Sequence, residues 1–348
     1  MTKKVTHIFH HNKPFLLESG EVLPDFRLTY TMVGNLNPNR TNIVWVCHAL
    51  TGSSDVTEWW NELFTDDSPF NPDQHFIICA NMLGGCYGST GPLSTNPITG
   101  KPFYHSFPSL TNRDVVRAFD LLRIHLQLDS IGCLVGGSMG GQQALEWAIA
   151  QPTVFESLVL INCNAQHSPW GIAFNESQRM AIEADSTWKN NEERAGSNGL
   201  KAARAIALLS YRYYETYKRN QEEKNPDQLD NFRAASYQRY QGDKLVQRFN
   251  AFSYWTLSKM MDSHNVGRGR QSIQHALRQI KSRTLVIGVD SDILFPLQEQ
   301  HYLANHIQDV EFKVIASTYG HDGFLVEYDQ LKKMINQFYI KITSNITT

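Results

Sequence analysis

Ile131-Gly132-Cys133-Leu134-Val135-Gly136-Gly137-Ser138-Met139-Gly140-Gly141-Gln142-Gln143-Ala144-Leu145-Glu146-Trp147-Ala148-Ile149-Ala150 decides how this chain is read. An apolar run, Ile131 to Val135, meets four glycines around one serine, and a helix-like stretch, Gln142 to Ala150, follows at once. A strand that turns sharply into a helix holds a serine hydroxyl above the sheet, and small flanking residues let the backbone bend there. The same turn aims backbone N–H groups at a helix N-terminus, where developing negative charge is stabilised. Ser138 is therefore the candidate nucleophile, and the Met139 N–H a candidate oxyanion donor.

Working outward, short runs rich in Val, Ile and Leu recur at Ile43 to Cys47, Phe76 to Ala80, Leu158 to Ile161, Leu285 to Val289 and Phe312 to Ile315. Continuous apolar runs of this length suit strands covered on both faces. Helical patterns at Asp114 to Leu126, Gly141 to Ala150, Leu297 to His306 and Glu327 to Ile340 alternate with them. The alternation predicts an α/β fold, a mostly parallel sheet wrapped by helices. Before it, Val5 to Val33 holds alternating runs broken by Gly20 and Pro24, as in an antiparallel hairpin at a sheet edge.

From about Asn164 to Lys281 the strand signal vanishes into a polar, helical pattern rich in Arg, Tyr and Gln. Residues 1–163 and 282–348 are expected to form one catalytic unit that, with its strand–Ser138–helix turn, resembles the α/β-hydrolase fold, with 164–281 inserted as a helical lid over the site. The aromatic set Tyr211, Tyr213, Tyr214, Tyr217, Tyr237, Tyr240, Phe249, Phe252, Tyr254 and Trp255 suits lid packing or a subunit interface, and with it a homodimer. Asn220 to Asp230 reads as a flexible loop.

A serine hydroxyl is a weak nucleophile at neutral pH and needs a histidine base oriented by a carboxylate. The strand Thr284 to Val289 runs into Asp290-Ser291-Asp292, at the carboxyl end where α/β sheets keep their functional groups. Asp292 is preferred to Asp290, which stays close to the strand. His321, in Gly320-His321-Asp322-Gly323 after the last strand, completes the order Ser, Asp, His. The second oxyanion donor is placed at the Leu50 N–H, in the loop Cys47-His48-Ala49-Leu50-Thr51-Gly52, where His48 shapes the loop.

With 348 residues and a net charge of −2, the chain can bury a large core and has no electrostatic case for nucleic acid. No apolar segment is long enough for a secretory signal or a membrane span, so a cytoplasmic location is expected. The five cysteines form no Cys-x-x-Cys pair, which predicts reduced, structural thiols. No His or Cys cluster stands at metal-ligand spacing, and no cofactor is expected.

Six segments together resemble the homoserine O-acetyltransferase family: Cys47–Gly52, Asn81-Met82-Leu83-Gly84-Gly85-Cys86-Tyr87-Gly88-Ser89-Thr90-Gly91-Pro92, Val135–Gly141, Tyr240-Gln241-Gly242-Asp243-Lys244, Met261-Asp262-Ser263-His264, and Gly320–Phe324. The second is the most specific, since an ordinary esterase has no reason to carry it. The resemblance implies acetyl-CoA as co-substrate, L-homoserine as acceptor and a double displacement through an acyl-serine, feeding methionine biosynthesis. It also implies Arg212 for the amino acid's carboxylate and Asp322 for its ammonium. The residues alone leave open a succinyl donor, a serine acceptor, a plain serine hydrolase, and a silent binding protein on the same scaffold. The bulky Tyr213 and Tyr214 bear on pocket width.

Overall fold

The computed structural model describes residues 4–346. Its strands are β1 (Lys4–His11), β2 (Phe15–Leu16), β3 (Val22–Leu23), β4 (Phe26–Val33), β5 (Ile43–Cys47), β6 (Phe76–Ala80), β7 (Ile131–Gly137), β8 (Phe155–Ile161), β9 (Arg283–Val289) and β10 (Val310–Ile315). Eight of them form one sheet in the order β1-β4-β6-β5-β7-β8-β9-β10. β1 pairs antiparallel with β4, and β4 with β6; every other neighbour is parallel. The expected edge hairpin is thus β1–β4, with β2 and β3 as a small separate ribbon between them.

All five residues of β5 are buried, and their side chains alternate between the two faces of the sheet. Ile43, Trp45 and Cys47 join one apolar cluster, in which Trp45 meets Trp147 edge to face at 5.0 Å between ring centroids. Val44 and Val46 join the other, with Val135, Val159, Ile287 and Phe338. The period of two sorts one strand between two cores. β10 departs from the expectation of full cover. It is the last strand of the sheet, and most of its residues are only half-buried.

The helices are α1 (Val56–Trp59), α2 (Asn112–His125), α3 (Met139–Ala150), α4 (Pro169–Glu183), α5 (Ser197–Tyr211), α6 (Tyr214–Gln221), α7 (Arg233–Val246), α8 (Ala251–Asp262), α9 (Ile273–Leu277), α10 (Leu297–His306) and α11 (Tyr328–Ile346). α2 begins two residues before the hydrophobic pattern suggested, because Thr111 and Asp114 close a capping box. α4 to α9 fill the stretch between β8 and β9. Asn220 and Gln221 belong to α6, so the irregular loop starts after them. None of the described helices is long and apolar enough to cross a membrane.

The inserted helices are tied to one another, to α2 and to the chain just after β8 by polar groups, most of them buried. Asp262, closing α8, pairs with Arg179 of α4 at 2.5 Å and accepts from Asn175 at 2.8 Å. His264 Nε2 lies 3.0 Å from the Asn164 carbonyl, and Asn112 Nδ2 lies 3.2 Å from His264 Nδ1. Met261–His264 is therefore an anchor between the inserted helices and α2, outside the chemistry. Burial pushes the His264 pKa down to about 3 and that of its neighbour His167 to about 4. Both rings stay neutral in the native state while the unfolded chain takes up protons below about pH 6.5. Stability should be fully present above that pH and fall from there toward pH 4, by about 1.4 kcal/mol per pH unit for each ring. Urea titrations across this range should show the fall, and His264→Gln should make the slope shallower.

Candidate active site

Ser138 sits between β7 and α3 with φ +57° and ψ −126°, a conformation that side-chain-bearing residues rarely adopt. Glycine makes the turn possible. A Cβ on Gly136 would stand 2.2 Å from the Gly140 carbonyl oxygen, and one on Gly140 would stand 2.0 Å from that of Cys47. The start of α3 is thereby pressed against the end of β5.

The acid and base arrive from the carboxyl ends of β9 and β10. His321 Nε2 lies 2.8 Å from Ser138 Oγ, and His321 Nδ1 lies 2.7 Å from Asp292 Oδ2. Asp292 Oδ1 accepts the N–H groups of Leu294 and Phe295 at 2.8 and 2.9 Å, which fixes the carboxylate. Asp290 instead caps the chain at the Ser317 N–H. The His321 ring stacks on Phe295 at 5.2 Å and meets Tyr211 and Phe324 on other sides. Burial pulls the His321 pKa down, but the charge and hydrogen bond of Asp292 outweigh it and leave the pKa raised.

Sequence reasoning missed Asn162. It has φ +46°, donates to Asp292 Oδ2 at 3.0 Å and reaches the His321 carbonyl at 3.4 Å, so it holds acid and base together. Its position just beyond β8, beside β9, was the available signal. Glu299 lies behind the acid, held by Asn164 at 2.8 Å, and burial raises its pKa to about 7.

Leu50 follows β5 with its side chain buried, and Met139 opens α3. The first N–H groups of a helix have no partner within it, and among the described residues neither the Leu50 nor the Met139 N–H donates to the chain. His48 fixes this loop. Its Nδ1 bonds the Ala49 carbonyl at 2.9 Å and its Nε2 accepts the Met82 N–H at 3.2 Å. Burial lowers its pKa to about 4, so the ring is neutral and acts as a strut.

Arg212 and Asp322 lie in one pocket of about 320 Å³, flanked by Ala49, Thr51 and Gly52 of the loop around Leu50. Arg212 Nε is 3.0 Å from Asp322 Oδ2, close enough for an ion pair, but its N–H is not aimed at the carboxylate. Burial raises the Asp322 pKa, and Arg212 and His321 only partly offset it. Arg204, Lys244 and Arg248 line the same pocket and were not anticipated. Lys244 lies in the segment Tyr240–Lys244, and Arg248 stands two residues beyond the end of α7. Tyr213 and Tyr214 stand outside the pocket, with Tyr214 67% exposed, and do not narrow it.

Residues 42–328 match the family model of the alpha/beta hydrolase fold. The chain is 51% identical to a homoserine O-acetyltransferase of Cyclobacterium marinum over 96% of its length and 95% of the relative's. It is 41% identical to one from Trichormus variabilis over 99% and 97%. The chain belongs to the homoserine O-acetyltransferase family. The fold of this family member superposes on the homoserine O-acetyltransferase of Bacillus anthracis with a TM-score of 0.87 at 22% identity, each covered to 97%. The esterase E22 L374D mutant gives 0.88 at 21% identity, covering 97% of this chain and 99% of that one. At such identities the likeness speaks for the fold alone.

The tight seat of α3 makes Gly140→Ala a direct test of how Ser138 is held. The added carbon must displace the Cys47 carbonyl or the turn itself, at a cost of about 3 kcal/mol or more. Calorimetric melting should show that loss, together with loss of reactivity of Ser138 toward a fluorophosphonate probe.

Proposed function

We propose that the protein transfers the acetyl group of acetyl-CoA to the side-chain hydroxyl of L-homoserine, in methionine biosynthesis. The observation that carries this reading is the Ser138–His321–Asp292 relay beside a pocket in which Arg212 stands 3.0 Å from the carboxylate of Asp322. Ser138 Oγ attacks the thioester carbonyl while His321 Nε2 takes its proton. The resulting oxyanion is met by the Leu50 and Met139 N–H groups, and CoA leaves with a proton from His321. Homoserine then gives its hydroxyl proton to His321 and attacks the acyl-serine through a second oxyanion, whose collapse breaks the bond to Ser138 Oγ, which takes the proton back from His321.

An amino acid carries its own carboxylate and ammonium, so it can replace the single Arg212–Asp322 pair with two pairs, one to each residue. Its ammonium gives Asp322, which stands beside Arg212 without an aligned hydrogen bond, a donor of its own. The inserted helices, read as a lid over this pocket, keep water from competing with homoserine for the acyl-serine. The exposed aromatics Trp170, Tyr214 and Tyr240 on these helices suit contact with a second copy.

CoA release from acetyl-CoA and from succinyl-CoA, each with homoserine, serine or no acceptor, tests the proposal with mass spectrometry of the products. O-acetylhomoserine formed only with acetyl-CoA and homoserine supports it, and equal release without acceptor replaces it with a hydrolase. Ser138→Ala should lower kcat by about 10³-fold or more. Arg212→Ala should raise the KM for homoserine by about 10- to 100-fold and leave acylation of Ser138 largely intact. Loss of acylation instead would move Arg212 to the donor side.

A further inference from the structure

The segment Asn81–Pro92 supplies no catalytic group, yet it walls a cavity of about 390 Å³ lined by Gly85, Cys86, Gly88, Ser89 and Gly91. Three guanidinium groups, from Arg27, Arg194 and Arg248, line the same cavity against one carboxylate, Glu193. Among the described residues Arg194 has no ion pair. The N–H groups of Gly88 and Ser89 donate to no group of the chain among those residues. Gly88 has φ +92°, and a Cβ there would stand 2.6 Å from Thr29 Oγ1, so only glycine keeps the loop in this shape. Arg27 Nε pins the loop at the Gly88 carbonyl, 3.0 Å away.

Arg248 joins this cavity to the active site. It lines both the 390 Å³ cavity and the 320 Å³ pocket beside Asp322, and it donates to the Thr51 carbonyl at 2.7 Å and to the Tyr87 hydroxyl. A ligand running from the loop around Leu50 past Arg248 enters the space walled by the glycine-rich segment.

We propose that this cavity seats the phosphorylated adenosine end of the acyl-CoA donor, with the guanidinium groups of Arg27, Arg194 and Arg248 and the N–H groups of Gly88 and Ser89 turned to its phosphates. The proposal rests on the acyl-CoA reading above and adds where the carrier lies. A long pantetheine arm separates the thioester from the phosphates, so they must sit away from Ser138. Clustered cations with unpaired backbone N–H groups in a glycine-rich loop form a phosphate cradle.

The test measures binding of free CoA by calorimetry, and the kcat/KM ratio of acetyl-CoA to S-acetylpantetheine, a donor without the nucleotide. Arg194→Gln should weaken CoA binding and lower that ratio by about tenfold, while Glu193→Gln, of opposite sign, should shift both the other way. CoA binding by the unaltered protein that neither substitution moves, or that both move in the same direction, overturns the cavity assignment and leaves the transferase reading standing. An unaltered protein that neither binds CoA nor prefers acetyl-CoA to S-acetylpantetheine overturns the donor reading and this proposal together.

Discussion

The contact between Gly140 and the carbonyl of Cys47 governs the geometry of the whole site. Backbone touches backbone there, so the start of α3 is seated directly against the end of β5 and the residue after it, His48. Ser138 is left at the crest, in a dihedral region it would not choose alone, and the packing of β5, β7 and α3 holds it there. The sheet order does the rest. β5, β7, β8, β9 and β10 are consecutive parallel neighbours, so the loops bearing Leu50, Ser138, Asn162, Asp292 and His321 emerge along one edge in spatial sequence.

Much of this was legible in the chain. β5 and β6 fall on the residues that the apolar runs marked, because a central parallel strand is buried on both faces and its composition shows it. The triad residues were legible for a different reason: a turn that needs several glycines and an acid or histidine just past a strand are local features. Asn162, Arg204 and Arg248 were not legible, since their meaning lies in what stands opposite them after folding. Asn162 resembles any polar residue ending a strand until β9 brings Asp292 within 3.0 Å. Likewise the half-exposed character of β10 follows from its place at the edge, which no run of residues states.

Electrostatically, the site separates two tasks. Deep groups are held fast: burial keeps His48 and His264 neutral, and two backbone N–H groups fix the orientation of Asp292. Nearer the opening, Arg212 and Asp322 oppose each other without an aligned hydrogen bond. A rigid interior beneath a pair that can be separated suits a reaction in which the reacting groups stay put while substrates exchange.

The spacing of the relay along the chain has a consequence for synthesis. Ser138 and His321 are 183 residues apart, and the histidine follows β10, the strand that closes the sheet. A nascent chain can form the turn at Ser138 and the neighbouring strands while it still lacks its base. Ser138 therefore lacks the imidazole that bonds its hydroxyl until the segment after β10 has been made and has folded against it.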